Sequence, residues 1–205
     1  AAVGGGDEPA GAAVRPRPGG GPARVYNRNA DRVGWGPTVD GKILPQHPFD
    51  PAAPAISANI PMIIGTNLNE FTSGIGNPNV DAMTEAELAE RVKTMYGDRY
   101  TQIIAAYRKA NPKAKPFDLF SFISTVSTRQ NAVVQAELKS AQNAAPAYLY
   151  LFTWQTPVLD GRPKAFHCAE LAFVFDNIDR CVNMTGGGAD ARALAARMSE
   201  AWIAF

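Results

Sequence analysis

The sequence predicts an α/β fold in which parallel strands pack with helices, and three observations carry that prediction. Two short apolar runs, Ile60–Ile64 and Ala147–Trp154, read as buried parallel strands. Helix-period segments fill the chain between them, and another follows the second run. Each run leads into a loop that carries one chemistry-bearing side chain, Glu70 after the first and His167 after the second.

Bulk composition fits a packed domain. Of 205 residues, 46% are hydrophobic and 19% charged, which suits a globular core. That length allows one large domain or part of a larger one. The net charge of +1 gives no electrostatic reason to expect nucleic acid or an acidic membrane surface as partner. No apolar stretch approaches the roughly 20 residues that span a bilayer, so no membrane span is expected. The N-terminal residues show no basic start followed by an apolar core, so no signal peptide is visible, and the compartment stays open. Cys168 and Cys181 are too few for a disulfide framework; their spacing permits a bridge without indicating one, and the plainer reading is two partly buried thiols. The sequon Asn183-Met184-Thr185 has meaning only in a secretory pathway.

Residues 1–32 open in Ala, Gly, Pro and Arg, with glycine triplets at 4–6 and 19–21. Such a composition buries too little apolar surface to offset its ordering entropy, so a flexible segment is expected. Neither triplet follows a strand and opens a helix, so neither reads as a phosphate cradle or oxyanion loop. From Val33 the character changes. Asp40-Gly41 is a turn signal between short apolar pieces, and residues 45–58 are proline-rich and extended. The run Ile60–Ile64, apolar on both faces, fits an interior strand and ends in Gly65 and a polar loop.

Three helices are expected next. Thr84-Glu85-Ala86-Glu87 has capping-box spacing, with Leu88, Val92, Met95 and Tyr96 on one face. A second helix covers about 99–110 and stops before Pro112. A third covers about 117–143, with Phe122, Val126, Val133 and Leu138 as candidate core positions or walls of an acyl pocket. The strand Ala147–Trp154 is rich in residues that suit a pleated, buried surface. The last helix begins near Asp190, whose charge favours a helix N-terminus, and carries Leu194, Met198, Trp202 and Phe205 on one face. The chain stops inside that apolar pattern, which reads as an internal boundary rather than a natural terminus.

Several runs, in order, resemble one family. They are Pro37-Thr-Val-Asp-Gly41, Ile63-Ile-Gly-Thr-Asn-Leu-Asn-Glu70, Ala147-Tyr-Leu-Tyr-Leu-Phe-Thr-Trp154, Phe166-His-Cys-Ala-Glu-Leu-Ala-Phe-Val-Phe-Asp176, Met184-Thr-Gly-Gly-Gly188 and Ala201-Trp-Ile-Ala-Phe205. Together they resemble the C-terminal part of the type-B carboxylesterases, the group that includes para-nitrobenzyl esterases and cholinesterases. The resemblance implies that residues 33–205 are the C-terminal portion of an α/β-hydrolase domain with a helical insertion at about 84–143. It implies hydrolysis of small carboxylic esters through an acyl-enzyme, with Glu70 as the triad acid and His167 as the general base. No cofactor and no metal is implied.

The residue chemistry agrees. A histidine near neutral pKa can take a serine proton and return it to the leaving alkoxide. A carboxylate on its other ring nitrogen fixes the tautomer and stabilises the imidazolium. His47 lies in a proline-bounded loop and reads as structural. His167 and Glu170 imitate half a metal site, but no second histidine on a neighbouring helix completes it. Glu170 reads instead as a residue that holds the histidine loop.

The nucleophile is missing from these residues. No Gly-x-Ser-x-Gly occurs, and serines 57, 73, 121, 124, 127, 140 and 199 lack the elbow context. The chain is therefore expected to supply acid and histidine while the N-terminal half of the same domain supplies nucleophile and oxyanion donors. Two other readings stand beside this one: a non-catalytic cholinesterase-like binding module, and an inactive fragment.

Overall fold

The structure, a computed structural model, describes residues 13–15, 24–26, 37–71 and 74–205. The glycine triplets at 4–6 and 19–21, and most of the segment 1–32 expected to be flexible, lie outside the described residues. Within that segment two short strands, β1 (Ala13–Arg15) and β2 (Arg24–Tyr26), pair antiparallel with Ala13 opposite Tyr26. The chain divides into two compact units, residues 1–62 with 133–148, and residues 63–132 with 149–205.

The first unit is held largely by side chains that reach backbone carbonyls. Asp40 accepts the N–H groups of Lys42, Ile43 and Leu44 at 2.8–2.9 Å, closing the Asp-Gly turn, and those bonds hold its carboxyl below the usual range. Lys139, 3% exposed, donates its ammonium to the carbonyls of Ser57 and Ala58 and to the Gln142 side chain. The Gln142 amide in turn donates to the carbonyls of Ala53 and Pro54. A buried lysine is tolerated because all three N–H donors find acceptors.

The second unit contains the site. Strand β3 (Met62–Asn67) lies beside β4 (Ala147–Phe152). The pair is parallel: Met62 N–H donates to the Pro146 carbonyl, and six residues on in both strands Leu68 N–H donates to Phe152. A parallel bridge between Asn69 and Phe166 extends this alignment into the two loops that follow. Gly65 is required in β3, because a Cβ there would lie 2.3 Å from the Tyr150 ring of β4. That ring also meets Trp202 edge-on, with centroids 5.2 Å apart.

The expectation of a strand buried on both faces needs correction. Ile60 precedes β3 and is 61% exposed, residues 62–65 are half-buried, and Leu149 and Leu151 of β4 are 39% and 40% exposed. The apolar faces are incompletely covered because, among the described residues, this sheet has only two strands.

Three helices follow β3: α1 (Glu85–Tyr96), α2 (Tyr100–Ala110) and α3 (Pro116–Ser140). The capping box at Thr84 is formed in both directions, with Glu87 N–H on the Thr84 hydroxyl and Thr84 N–H on the Glu87 carboxylate. Leu88 and Val92 of α1 pack with Leu119 and Ile123 of α3, all four fully buried, and Tyr96, Ile103 and Tyr107 close the cluster. Met95 departs from the expected face and is 43% exposed. In α3 the buried positions are Phe117, Leu119, Ser121, Ile123, Thr125, Ala132, Val134, Ala136 and Lys139, while the expected core positions Phe122, Val126, Val133 and Leu138 are half-buried. Positions two apart point to opposite sides of a helix, so α3 is buried from more than one side.

A second core joins β4 to α4 (Leu171–Val174) and, past the short α5 (Val182–Thr185), to α6 (Ala189–Ala204). Phe152, Phe173 and Ile178 fill it with Ala165, Ala169, Ala172, Ala191 and Ala195. The buried alanines let α4 and α6 approach closely, with Leu194 and Met198 along the edge. Phe205, expected on that face, is 52% exposed.

Replacing Gly65 by alanine should destabilise the chain by about 1–3 kcal/mol, the usual range for overpacking. Urea denaturation measures it, and the cost should shrink in a Tyr150→Val background, where the obstructing ring is gone.

Candidate functional site

Parallel strands deliver their following loops to the same edge of a sheet, and here those loops carry Glu70 and His167. The two side chains, 97 residues apart in sequence, meet with His167 Nδ1 2.6 Å from Glu70 Oε2. Their environments differ sharply. The Glu70 side chain is 9% exposed and that of His167 is 61% exposed. With a carboxylate at Nδ1, that nitrogen carries the proton and donates it, leaving the Nε2 lone pair free to accept one. Phe71 lies beside the imidazole, with ring centroids 5.5 Å apart.

A buried carboxylate needs more than one partner. The other Glu70 oxygen, Oε1, accepts the backbone N–H of Asn67 at 2.7 Å. The backbone N–H of Glu70 donates to the Thr125 hydroxyl at 3.0 Å, and that hydroxyl donates to the Ser121 carbonyl. Asn69, fully buried, donates its amide to the Ser121 hydroxyl at 2.7 Å and accepts the Ala165 N–H at 3.2 Å. Ser121 and Thr125 stand one turn apart on α3, so a single helix face supports Asn69 and Glu70 in succession.

On the histidine side, Asn67 donates its side-chain amide to the Phe166 carbonyl at 2.7 Å and to Glu170 Oε2 at 2.5 Å. Glu170 stands at the N-terminus of α4, and its carbonyl accepts the N–H groups of Phe173 and Val174. Cys168 turns the chain at φ 66° immediately after His167. Burial, with the negative charges of Glu170 and Glu70, holds its thiol above the ordinary range. The Tyr150 phenol is raised for the same reasons in the same order.

The structure thus brings Glu70 and His167 together and ties Glu170 to the same network. His47 is exposed in its loop. Cys168 and Cys181 are free, half-buried thiols. Among the described residues, no group of three or more His, Cys, Asp and Glu could hold a metal ion. No helix among them is long and apolar enough to cross a membrane.

Sequence reasoning missed Asn67, Asn69, Ser121 and Thr125. The available signals were faint: two asparagines at strand period, and a Ser/Thr pair four apart in an apolar helix. Phe122 and Val126 line a cleft of about 390 Å³ whose walls include Asn67, Leu68, Thr125 and Leu151. A second cleft of about 400 Å³ shares Phe122 with the first and is lined by Asn69, Asp118 and Lys164. Neither is lined by Glu70 or His167.

Comparison with known proteins adds to this geometry. The family model described as "Carboxylesterase family" matches residues 22–205. The chain is 28% identical over 175 residues to the para-nitrobenzyl esterase of Bacillus subtilis (strain 168), covering 82% of this chain and 33% of that protein. It is 25% identical over 174 residues to the phenmedipham hydrolase of Pseudarthrobacter oxydans, covering 82% of this chain and 34% of that protein. A solved structure of PNB esterase superposes with a TM-score of 0.52 at 27% identity, covering 82% of this chain and 34% of that one. The chain spans about a third of the length of these relatives.

Thr125→Val should cost about 1–3 kcal/mol, because it keeps the shape but leaves the buried Glu70 N–H unpaired. Thr125→Ser, which retains the acceptor, should lose less. Equilibrium urea unfolding of the two variants beside the parent chain checks the difference.

Proposed function

The chain belongs to the carboxylesterase family and has the fold of part of an α/β-hydrolase, and from that premise we propose that the protein it represents is a serine carboxylesterase. Its substrates are small carboxylic esters. Glu70 is the acid of its triad and His167 the general base. The observation that carries this reading is the 2.6 Å contact between an exposed imidazole and a buried, doubly bonded carboxylate.

In this mechanism Nε2 of His167 takes the hydroxyl proton of a serine as the serine oxygen bonds to the ester carbonyl carbon. The C–O bond to the alcohol then breaks, and the imidazolium gives its proton to the departing alkoxide. Water repeats the sequence on the acyl-enzyme, releasing the acid and the free serine. Glu70 keeps Nδ1 protonated and stabilises the positive ring at each transfer.

The serine and the oxyanion donors belong to the remainder of the domain. The coverage of about a third of each relative supports that division, as do the exposed apolar side chains Leu149 and Leu151. In this reading the helical layer shapes the pocket: Tyr107 of α2 and Phe122 and Val126 of α3 line a cleft whose wall includes Thr125, the partner of the Glu70 backbone.

The 205 residues alone should show no turnover of a para-nitrophenyl ester, since nucleophile, base and oxyanion donors act as a unit. The complete protein should hydrolyse the same ester, and His167→Ala should lower kcat by about 10⁴-fold or more. A complete protein whose activity survives His167→Ala would overturn the assignment.

A further inference from the structure

Asn67 is the last residue of β3, 1% exposed, and it touches both sides of the acid–histidine pair. Its backbone N–H holds Glu70 Oε1, and its side-chain amide holds the Phe166 carbonyl and the Glu170 carboxylate. Both hydrogens of one nitrogen are thereby used, on the residue just before His167 and on the residue three after it. We infer that Asn67 is a positioning residue, which sets the distance between Glu70 and His167 by clamping the acid loop to the histidine loop. The inference rests on the reading of Glu70 and His167 as a functional pair.

Chemistry singles out asparagine at this position. The clamp needs two donors on one atom, aimed at a carbonyl and an anion. Aspartate offers only acceptors and would face Glu170 with like charge. Leucine fills the volume but leaves the Phe166 carbonyl and the Glu170 carboxylate without their donor. The segment before His167 is also fixed to the one that follows β3 through Asn69, which bonds Ala165 two residues before the histidine, and through Arg162, which bonds Gly74 and Asn77. Asn67 is the contact that spans the histidine itself, from position 166 to position 170. With the ring 61% exposed, packing does little to hold it, and its orientation depends on this frame.

The test is nitrogen-15 NMR of histidine-labelled chain, in which His47 is the only other histidine and serves as internal reference. The parent chain should show His167 as the Nδ1–H tautomer, with a low-field Nδ1 proton. Asn67→Leu should lose that resonance and mix the tautomers, while far-UV circular dichroism stays unchanged. Glu170→Gln, which keeps an acceptor for the amide, should retain it. If Asn67→Leu does not fold, Glu170→Ala decides: loss or broadening of the resonance supports the clamp, and an unchanged resonance overturns it. Glu70→Ala separates the two ideas. An unaltered His167 signal in Glu70→Ala removes the pair itself. A signal lost in Glu70→Ala but kept in folded Asn67→Leu overturns the role of Asn67 alone.

Discussion

Burial of the Glu70 carboxylate is the constraint around which the second unit is organised. An anion removed from water costs several kcal/mol unless its lone pairs are matched, and Glu70 meets that demand with the Asn67 N–H and His167 Nδ1. One donor is the last residue of β3 and the other comes from the loop after β4, so each strand of the parallel pair contributes one. The sheet register, the bridge between Asn69 and Phe166, and the turn at Cys168 are the geometry needed to bring those donors to one carboxylate.

The helical layer takes part in the same arrangement. Ser121 and Thr125 put hydroxyls at buried positions of α3. They serve as partners for Asn69 and for the Glu70 backbone, so the acid loop is held from beneath as well as from the side. A buried polar network of this kind stabilises when every member is satisfied and destabilises when one is removed. The contrast with His167 is one of exposure: the Glu70 carboxylate is enclosed and held, whereas the His167 ring stands largely open.

Much of this was legible before any coordinates. Helix starts carry local signals, so the Thr84–Glu87 box could be read directly, and Leu88 and Val92 fall on the expected face. The core of α3 is less legible, because the helix is buried from more than one side and two of its buried positions are hydroxyls. Exposure of the strand faces was also unreadable, since an apolar run looks the same whether or not neighbours cover it.

Sequence by itself determined the family and the α/β order of elements, and it singled out Glu70 and His167, the two side chains for which a chemical role is proposed. Those features rest on local motifs and on residue types whose chemistry is intrinsic. Tertiary structure alone decided that Glu70 and His167 touch, and that Asn67, Asn69, Ser121 and Thr125 hold them. The reason is physical: apart from the local bond of Asn67 N–H to Glu70, these hydrogen bonds join positions about fifty to a hundred residues apart and arise only when strand pairing and helix packing set their distances.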